Sequence, residues 1–359
     1  MKKTLTLLLA LSLLALFTSG CCHPDKVPVS SDESGAETTD KKDPPAEPNP
    51  ASDFVYAVSS QTKGIRIEKY IGSSEHVIIP SYIDNLPVLA LRGVPAGDWA
   101  VSEGVFQGTN VKTVFIPDTV KTVGFRCFKD CEELTSVTFA PDSSLNIMGG
   151  SAFENCTKIE EIDLSSTSLR EIDNLAFHGC VNLKSIVFSD TLEKIGDSAF
   201  YECSALSEIN FPESLLKIGS AAFAYCTSLK QLEIPTNVDL MCKNEAIFHS
   251  VPTITKFTFR DGRETIKGYA FILTGTDVEI VVPASVKVLS PRVFYLYFPK
   301  HITFTFMGDA PEIIEDFPED DELGDWVRIT TIRYNPNTSG WDSFAWKDRC
   351  EEMQPFTQN

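Results

Sequence analysis

The sequence predicts a repeat solenoid, because three features recur at a fixed period between Val120 and Pro235. A Phe marks each copy at spacings of 25, 24, 23 and 23 residues, a Cys follows it by three, and apolar residues follow it by six, nine and eleven. The marker residues are Phe128, Phe153, Phe177, Phe200 and Phe223, with Cys131, Cys156, Cys180, Cys203 and Cys226. A unit of this length cannot bury its own apolar face, so we expect neighbouring units to stack around one continuous core.

Weaker copies extend the repeat in both directions. Phe106 opens the first, and Phe248, Phe271 and Phe294 continue the series. At the Cys position these later copies carry Val251, Thr274 and Tyr297. Because the repeat survives without the Cys, the thiols should be buried, reduced packing groups. Disulfides between Cys residues of adjacent repeats are the alternative. A zinc site is disfavoured, because no C-x-x-C pair occurs in the sequence and the closest Cys residues are the tandem Cys21-Cys22.

The N-terminus carries export signals. Residues 1–20 have a basic start, an apolar run and a small-residue end, which indicates a secretory signal peptide. Cys21 follows Ser19-Gly20 directly, an arrangement that resembles the bacterial lipobox, so we expect Cys21 to carry a lipid; ordinary cleavage and free secretion is the alternative. Residues 21–52 are rich in Pro, Ser, Asp and Glu, and should form a disordered tether.

Atypical segments flank the repeats, as the ends of a solenoid require. Residues 53–105 should form an N-terminal cap, with a hairpin around Gly64 and a short strand at Val77–Ile79. Residues 106–307 form the predicted solenoid, and 308–359 a C-terminal cap. Within that cap, VRITTIRYNP reads as the last strand, followed by an aromatic-rich turn.

The charge balance excludes some partners. The formal charge is −19, which becomes −19 − 2 = −21 without Lys2 and Lys3 of the signal peptide. An acid excess of this size disfavours nucleic acid and anionic lipid surfaces. We therefore expect no nucleic-acid partner, and membrane contact only through the N-terminal lipid.

The motif I-G-x-x-A-F-x-x-C-x-x-L-x-x-I-x-[FIL]-P, clearest at Ile195–Pro212 and Ile218–Pro235, resembles the BspA-like leucine-rich repeat family of bacterial surface proteins. The resemblance also covers VIIPSYIDNLPV, FMGDAP and RYNPNTSGW. It implies a right-handed curved solenoid with one short strand per repeat in a parallel sheet. Family members are commonly exported, often lipid-anchored, and some bind host extracellular proteins.

Motifs for catalysis are missing from the sequence. No G-x-x-x-x-G-K-[ST], G-x-G-x-x-G, H-E-x-x-H or G-x-S-x-G occurs, and the five His residues share no spacing with a nucleophile. We therefore expect neither an enzyme nor a cofactor or catalytic metal.

A surface can be derived from the strand pattern. In L-x-x-I-x-F the apolar pair points inward, so the intervening residues point outward in two columns across the sheet. These candidate binding residues are Ser136, Thr138, Glu161, Asp163, Ser185, Val187, Glu208, Asn210, Gln231, Glu233, Lys256 and Thr258, continued by Glu279 and Val281.

Three functional hypotheses follow. The first is a lipid-anchored cell-surface protein whose repeat sheet binds a protein or glycan, including host adhesion. The second is a structural or assembly role with another bacterial envelope protein, since few outward positions carry the Trp, Tyr or Arg typical of binding hot spots. The third and weakest is a hydrolase that uses Glu161 and Asp163.

Overall fold

The structure is a computed structural model, which describes residues 47–93, 103–240, 245–268, 270–273, 277–290, 293–296, 301–314 and 329–356. The predicted signal peptide, the Cys21 lipid site and most of the tether lie outside these residues. All described residues belong to one unit, Pro44–Asn359. In this part of the chain no helix is long and apolar enough to cross a bilayer.

The chain coils through two strand positions per regular turn, and each position forms its own parallel ladder. The first ladder, here called the side sheet, is built mostly from two-residue strands. Its members are β1 (Phe54–Val58), β2 (Ile65–Tyr70), β4 (Tyr82–Ile83), β5 (Leu86–Leu91), β7 (Thr122–Val123), β9 (Ile147–Met148), β11 (Glu171–Ile172), β13 (Lys194–Ile195) and β15 (Lys217–Ile218). A separate three-stranded sheet contains β18 (Thr265–Ile266), β21 (Val288–Leu289) and β24 (Glu312–Ile313).

The second ladder, here called the front sheet, contains the L-x-x-I-x-F strands in three hydrogen-bonded blocks. The first block is β3 (His76–Ile78), β6 (Thr113–Ile116) and β8 (Ser136–Phe139). The second is β10 (Glu161–Asp163), β12 (Ser185–Val187) and β14 (Glu208–Ile209). The third is β16 (Gln231–Ile234), β17 (Lys256–Phe259), β20 (Asp277–Val282), β23 (His301–Phe306), β25 (Ile329–Tyr334) and β26 (Cys350–Pro355).

Short elements complete the fold. β19 (Phe271–Leu273) pairs with β22 (Phe294–Leu296), and 3-10 turns occupy Ala51–Asp53, Trp341–Ser343 and Lys347–Arg349. The stacked parallel-strand solenoid predicted from the repeat is confirmed. Besides the single strand per repeat that the sequence suggested, each regular coil has the second strand of the side sheet.

The repeat Phe residues form one continuous stack through the core. From Phe106 to Phe294, neighbouring ring centroids lie 4.9–5.5 Å apart with stacked planes. Tyr70 extends the stack at 5.1 Å from Phe106. The backbone fixes this spacing, because each Phe amide from Phe106 to Phe248 donates to a carbonyl of the next coil, as Phe177 does to Ala199 at 2.7 Å. Buried aromatic pairs of this kind add stabilisation beyond their area.

The five repeat thiols are buried and free. Each also donates a hydrogen bond to the carbonyl of the preceding coil's Phe, as Cys180 Sγ does to Phe153 O at 3.1 Å. The same bond recurs at Cys131, Cys156, Cys203 and Cys226, at 2.9, 3.0, 3.2 and 3.2 Å. The free thiols match the prediction. The prediction treated them only as small hydrophobic packing groups, whereas their hydrogen bonds also link adjacent coils.

Both ends of the solenoid differ from the regular coils. The predicted hairpin is present, with β1 antiparallel to β2, and the expected strand at Val77–Ile79 is β3. At the other end, the prediction that VRITTIRYNP is the last strand is wrong. β26 follows it and pairs with β25 in parallel, so the front sheet continues to Pro355. Trp341, Phe344 and Trp346 are buried against this last part of the core.

Candidate binding face

The outward side of the front sheet, here called the strand face, carries all twelve residues singled out in the sequence. Inward-pointing partners such as Ile162, Ile186 and Leu232 are buried, which sets the alternation. Eight of the twelve are exposed: Thr138, Glu161, Asp163, Val187, Glu208, Asn210, Gln231 and Glu233. Ser136, Ser185, Lys256 and Thr258 are half-buried, so all twelve side chains reach the surface.

Strand register aligns these residues in two columns. The first runs Thr113–Ser136, then Glu161–Ser185–Glu208, then Gln231–Lys256–Glu279–Thr303–Thr331–Glu352. The second runs Phe115–Thr138, then Asp163–Val187, then Glu233–Thr258–Val281–Thr305–Arg333–Gln354. Asn210 directly follows β14. The columns are interrupted twice, where β8 meets β10 and β14 meets β16 without ladder pairing.

In the third block, the carboxylates of Glu233 and Glu279 are paired with basic side chains. The Glu279 carboxylate forms ion pairs with Lys256 at 3.1 Å and with Arg333 at 3.9 Å. It also accepts a hydrogen bond from the Thr305 hydroxyl at 3.0 Å. Arg260 bridges Glu233 and Glu213. A carboxylate that already forms an ion pair contributes less to binding a partner, because the new contact must first replace the existing one.

The middle block is different. Glu161 and Glu208 lie in the same column on either side of Ser185, and Asp163 lies beside Val187 in the next. Within the described chain, neither Glu161 nor Glu208 has a Lys, Arg or His at ion-pair distance, and Asp163 accepts only the Ser165 amide at 2.9 Å. Val187 is 51% exposed among them. This block, here called the acidic centre, therefore combines three carboxylates that face solvent with one exposed apolar side chain.

Sequence reasoning missed the C-terminal extension of the columns from Thr303 to Gln354. The alternation of apolar and polar residues that marks these strands is visible in HITFTF and TTIRY. However, the regular repeat spacing ends at Gly308, so the sequence does not show how the later strand aligns with the earlier ones. A second surface row was also missed. His178, Tyr201, Tyr225 and His249 follow one another across four coils, with ring centroids 5.2, 5.1 and 5.8 Å apart.

The strand face presents carboxylates, hydroxyl groups and the exposed Val187 side chain to solvent. Among the described residues, no three His, Cys, Asp or Glu side chains gather closely enough to hold a metal ion. The buried thiols are poor nucleophiles, since burial raises the pKa of Cys180 to about 12 and that of Cys131 to about 11.

These observations define a class: a leucine-rich type repeat solenoid with an exposed strand face. The model of the BspA type leucine rich repeat region matches residues 100–192 and 170–297 in six copies, which is more than half of the chain. The protein therefore belongs to the BspA-type leucine-rich repeat family.

Solved structures of leucine-rich repeat proteins are similar to this chain. The T. pallidum leucine rich repeat protein is 29% identical over 59% of this chain and 86% of its own, with a TM-score of 0.38. A leucine rich cell surface protein from Faecalibacterium prausnitzii is 20% identical over 86% and 94%, with a TM-score of 0.47. A leucine-rich repeat protein from Bacteroides ovatus is 19% identical over 85% and 75%, with a TM-score of 0.45. No curated protein matches the sequence.

Proposed function

We propose that this protein is an exported, non-catalytic binding protein, held to the cell envelope by a lipid on Cys21, whose strand face binds a protein or glycan outside the cell. The acidic centre is the observation that carries the binding role. Its three carboxylates face solvent, while Glu233 and Glu279 of the third block are paired with Arg260, Lys256 and Arg333. Family membership supports the role, because extended repeat surfaces commonly bind partners.

The partner's chemistry follows from the acidic centre. Glu161 and Glu208 are two strands apart, so about 10 Å separates their backbones. Carboxylates at this spacing suit a partner that presents two cationic or hydroxyl groups, with a small apolar group to one side that can contact Val187 in the neighbouring column. Such contacts favour fast, salt-sensitive association over high affinity.

The binding role predicts a selective loss. The triple variant Glu161→Gln, Asp163→Asn, Glu208→Gln should weaken binding to a partner found among host matrix proteins and mucin glycans by roughly tenfold or more. The matched control is Glu132→Gln, Asp190→Asn, Glu202→Gln, which removes the same charge from exposed turns. Surface plasmon resonance at two salt concentrations measures the difference. Equal binding by both triple variants, or no binding by the parent protein across these panels, contradicts the proposal.

The alternative role, assembly with another bacterial envelope protein, is favoured by the composition of the face. No Trp or Tyr occurs among the twelve candidate residues, and aromatic residues usually dominate strong hot spots. Crosslinking in the native envelope separates the two roles. One abundant bacterial partner supports assembly, whereas binding to host components alone excludes it.

A further inference from the structure

A row of aromatic side chains lies on the turns that precede the front-sheet strands, away from the strand face. Its members, here called the aromatic row, are His178, Tyr201, Tyr225 and His249. Tyr225 is 37% exposed and the other three are half-buried, so the row reaches the surface. Neighbouring ring planes are tilted by 35°, 58° and 70°, whereas the core rings of Phe153 and Phe177 are within 2° of parallel. Rings tilted in this way cover each other's faces only in part.

The fold does not require aromatic rings at these positions. The residue after the repeat Phe is Lys129 in one regular coil, Glu154 in the next and Ala224 in a later one. All three coils keep their Phe in the core stack. The aromatic row is therefore not needed to pack the solenoid. It supplies Tyr, a residue type that usually dominates binding hot spots and that the twelve strand-face candidates lack.

Charge selects the kind of partner that suits the aromatic row. The faces of aromatic rings carry partial negative charge. The carboxylates of Glu202 and Glu245 are exposed beside the row. Burial raises the pKa of the Tyr201 hydroxyl, and the negative charges of Glu202 and Glu245 raise it further, so both carboxylates act on this ring. Ring faces and carboxylates together attract a cation and repel an anion.

We propose that the aromatic row binds a basic segment of a protein partner, with an Arg side chain lying over the Tyr201 and Tyr225 rings. The two ring centroids are 5.1 Å apart, so one guanidinium group can lie within about 6 Å of both, the range of cation–π attraction. Arg suits the site better than Lys, because its planar guanidinium stacks on aromatic faces. The row is on the turns, so this binding does not depend on the acidic centre of the strand face.

The test uses the full chain in detergent and a short fluorescein-labelled peptide of alternating Ser and Arg, with binding followed by fluorescence anisotropy. The parent protein should bind this peptide at least fivefold more tightly than the same peptide with citrulline, a neutral analogue of similar shape, in place of each Arg. This comparison uses the parent protein alone, so it does not depend on the folding of any variant.

Variants of the rings locate the binding. The double variant Tyr201→Leu, Tyr225→Leu keeps the charge of the protein but removes the ring faces, and should weaken binding of the Arg peptide at least fivefold. Tyr201→Phe with Tyr225→Phe keeps the ring faces and should bind within about twofold of the parent. The matched control is Tyr82→Leu, which removes a Tyr that is 61% exposed on the N-terminal cap and should change binding less than about twofold.

The acidic centre also attracts basic peptides, so the comparison is repeated in its triple variant, where the loss caused by the two Leu substitutions should persist. Equal binding of the Arg and citrulline peptides overturns the proposal, as does no binding by the parent protein. Equal binding by the double Leu variant and Tyr82→Leu also overturns it. If the double Phe variant loses binding as the double Leu variant does, the hydroxyl groups carry the contact, as they would for a sugar, and the cation–π site is excluded.

Discussion

Phe177→Ala should destabilise the protein by about 3–5 kcal/mol, the range for a fully buried Phe replaced by Ala. Phe177 is 0% exposed and lies 5.1 Å from both Phe153 and Phe200, so the substitution removes two ring contacts at once. Its position at the middle of the stack matters, because stability in a solenoid depends on coupling between adjacent coils. Loss of that coupling should also make unfolding less cooperative, with the two halves separating in urea.

Urea unfolding followed by circular dichroism measures both effects. The control is Phe125→Ala, which removes a Phe that is 40% exposed and should change the free energy of unfolding by less than about 1 kcal/mol. If Phe177→Ala and Phe125→Ala destabilise equally, the stack is not the main support of the core.

Stability should fall steeply above pH 9. Burial raises the pKa of the six buried thiols, Cys127, Cys131, Cys156, Cys180, Cys203 and Cys226, above their usual value of 9.0. Below pH 9 these thiols are protonated in both states and contribute no pH dependence. Between pH 9 and about 11 the unfolded chain ionises while the folded chain stays protonated, so unfolding releases protons and becomes easier.

Each such thiol contributes at most about 1.4 kcal/mol per pH unit in this window. Urea unfolding between pH 8 and 11 measures the sum. The matched variant is Cys180→Val, because a later repeat carries Val251 at the same position. It should reduce the slope of the unfolding free energy against pH by the contribution of about one proton. An unchanged slope in Cys180→Val would show that ionisation of the buried thiols does not cause the loss of stability above pH 9.

The scaffold could be predicted well because its signals are periodic. Phe, Cys and the apolar strand pair recur at fixed offsets, so their stacking follows from the need to bury each unit against the next. The thiol hydrogen bonds could not be predicted, since they depend on where the Phe153 carbonyl lies relative to Cys180. The two-residue strands of the side sheet, such as Lys194–Ile195, are too short to show a two-residue alternation.

The turns explain another part of what the sequence conceals. The residue two after each repeat Phe from Phe106 to Phe248 has a positive φ, including 61° at Asn155, 62° at Glu202 and 61° at Tyr225. Asn accepts this conformation readily, whereas Glu and Tyr give no hint of it. The His178–Tyr201–Tyr225–His249 row is hidden for a related reason. Tyr201 follows its Phe by one and Tyr225 by two, so no single repeat position contains the row.

The candidate binding residues could be placed on one face from alternation alone, but their electrostatic differences could not. Glu161 and Glu279 occupy equivalent places in the repeat, and only contacts between coils show that Glu279 is engaged by Lys256 while Glu161 faces solvent. Such contacts join residues 23 or more positions apart, which a reading of single repeats does not compare.

The central claim, that the solenoid works outside the cell, is tested most directly by adding protease to intact cells. If the protein is anchored on the surface through Cys21, the protease should cut within residues 21–52 and release the solenoid, while an intracellular marker protein stays whole. The compact repeat region, with its continuous Phe stack, should persist as a resistant fragment. Full protection on intact cells, with cleavage only after lysis, would contradict the account.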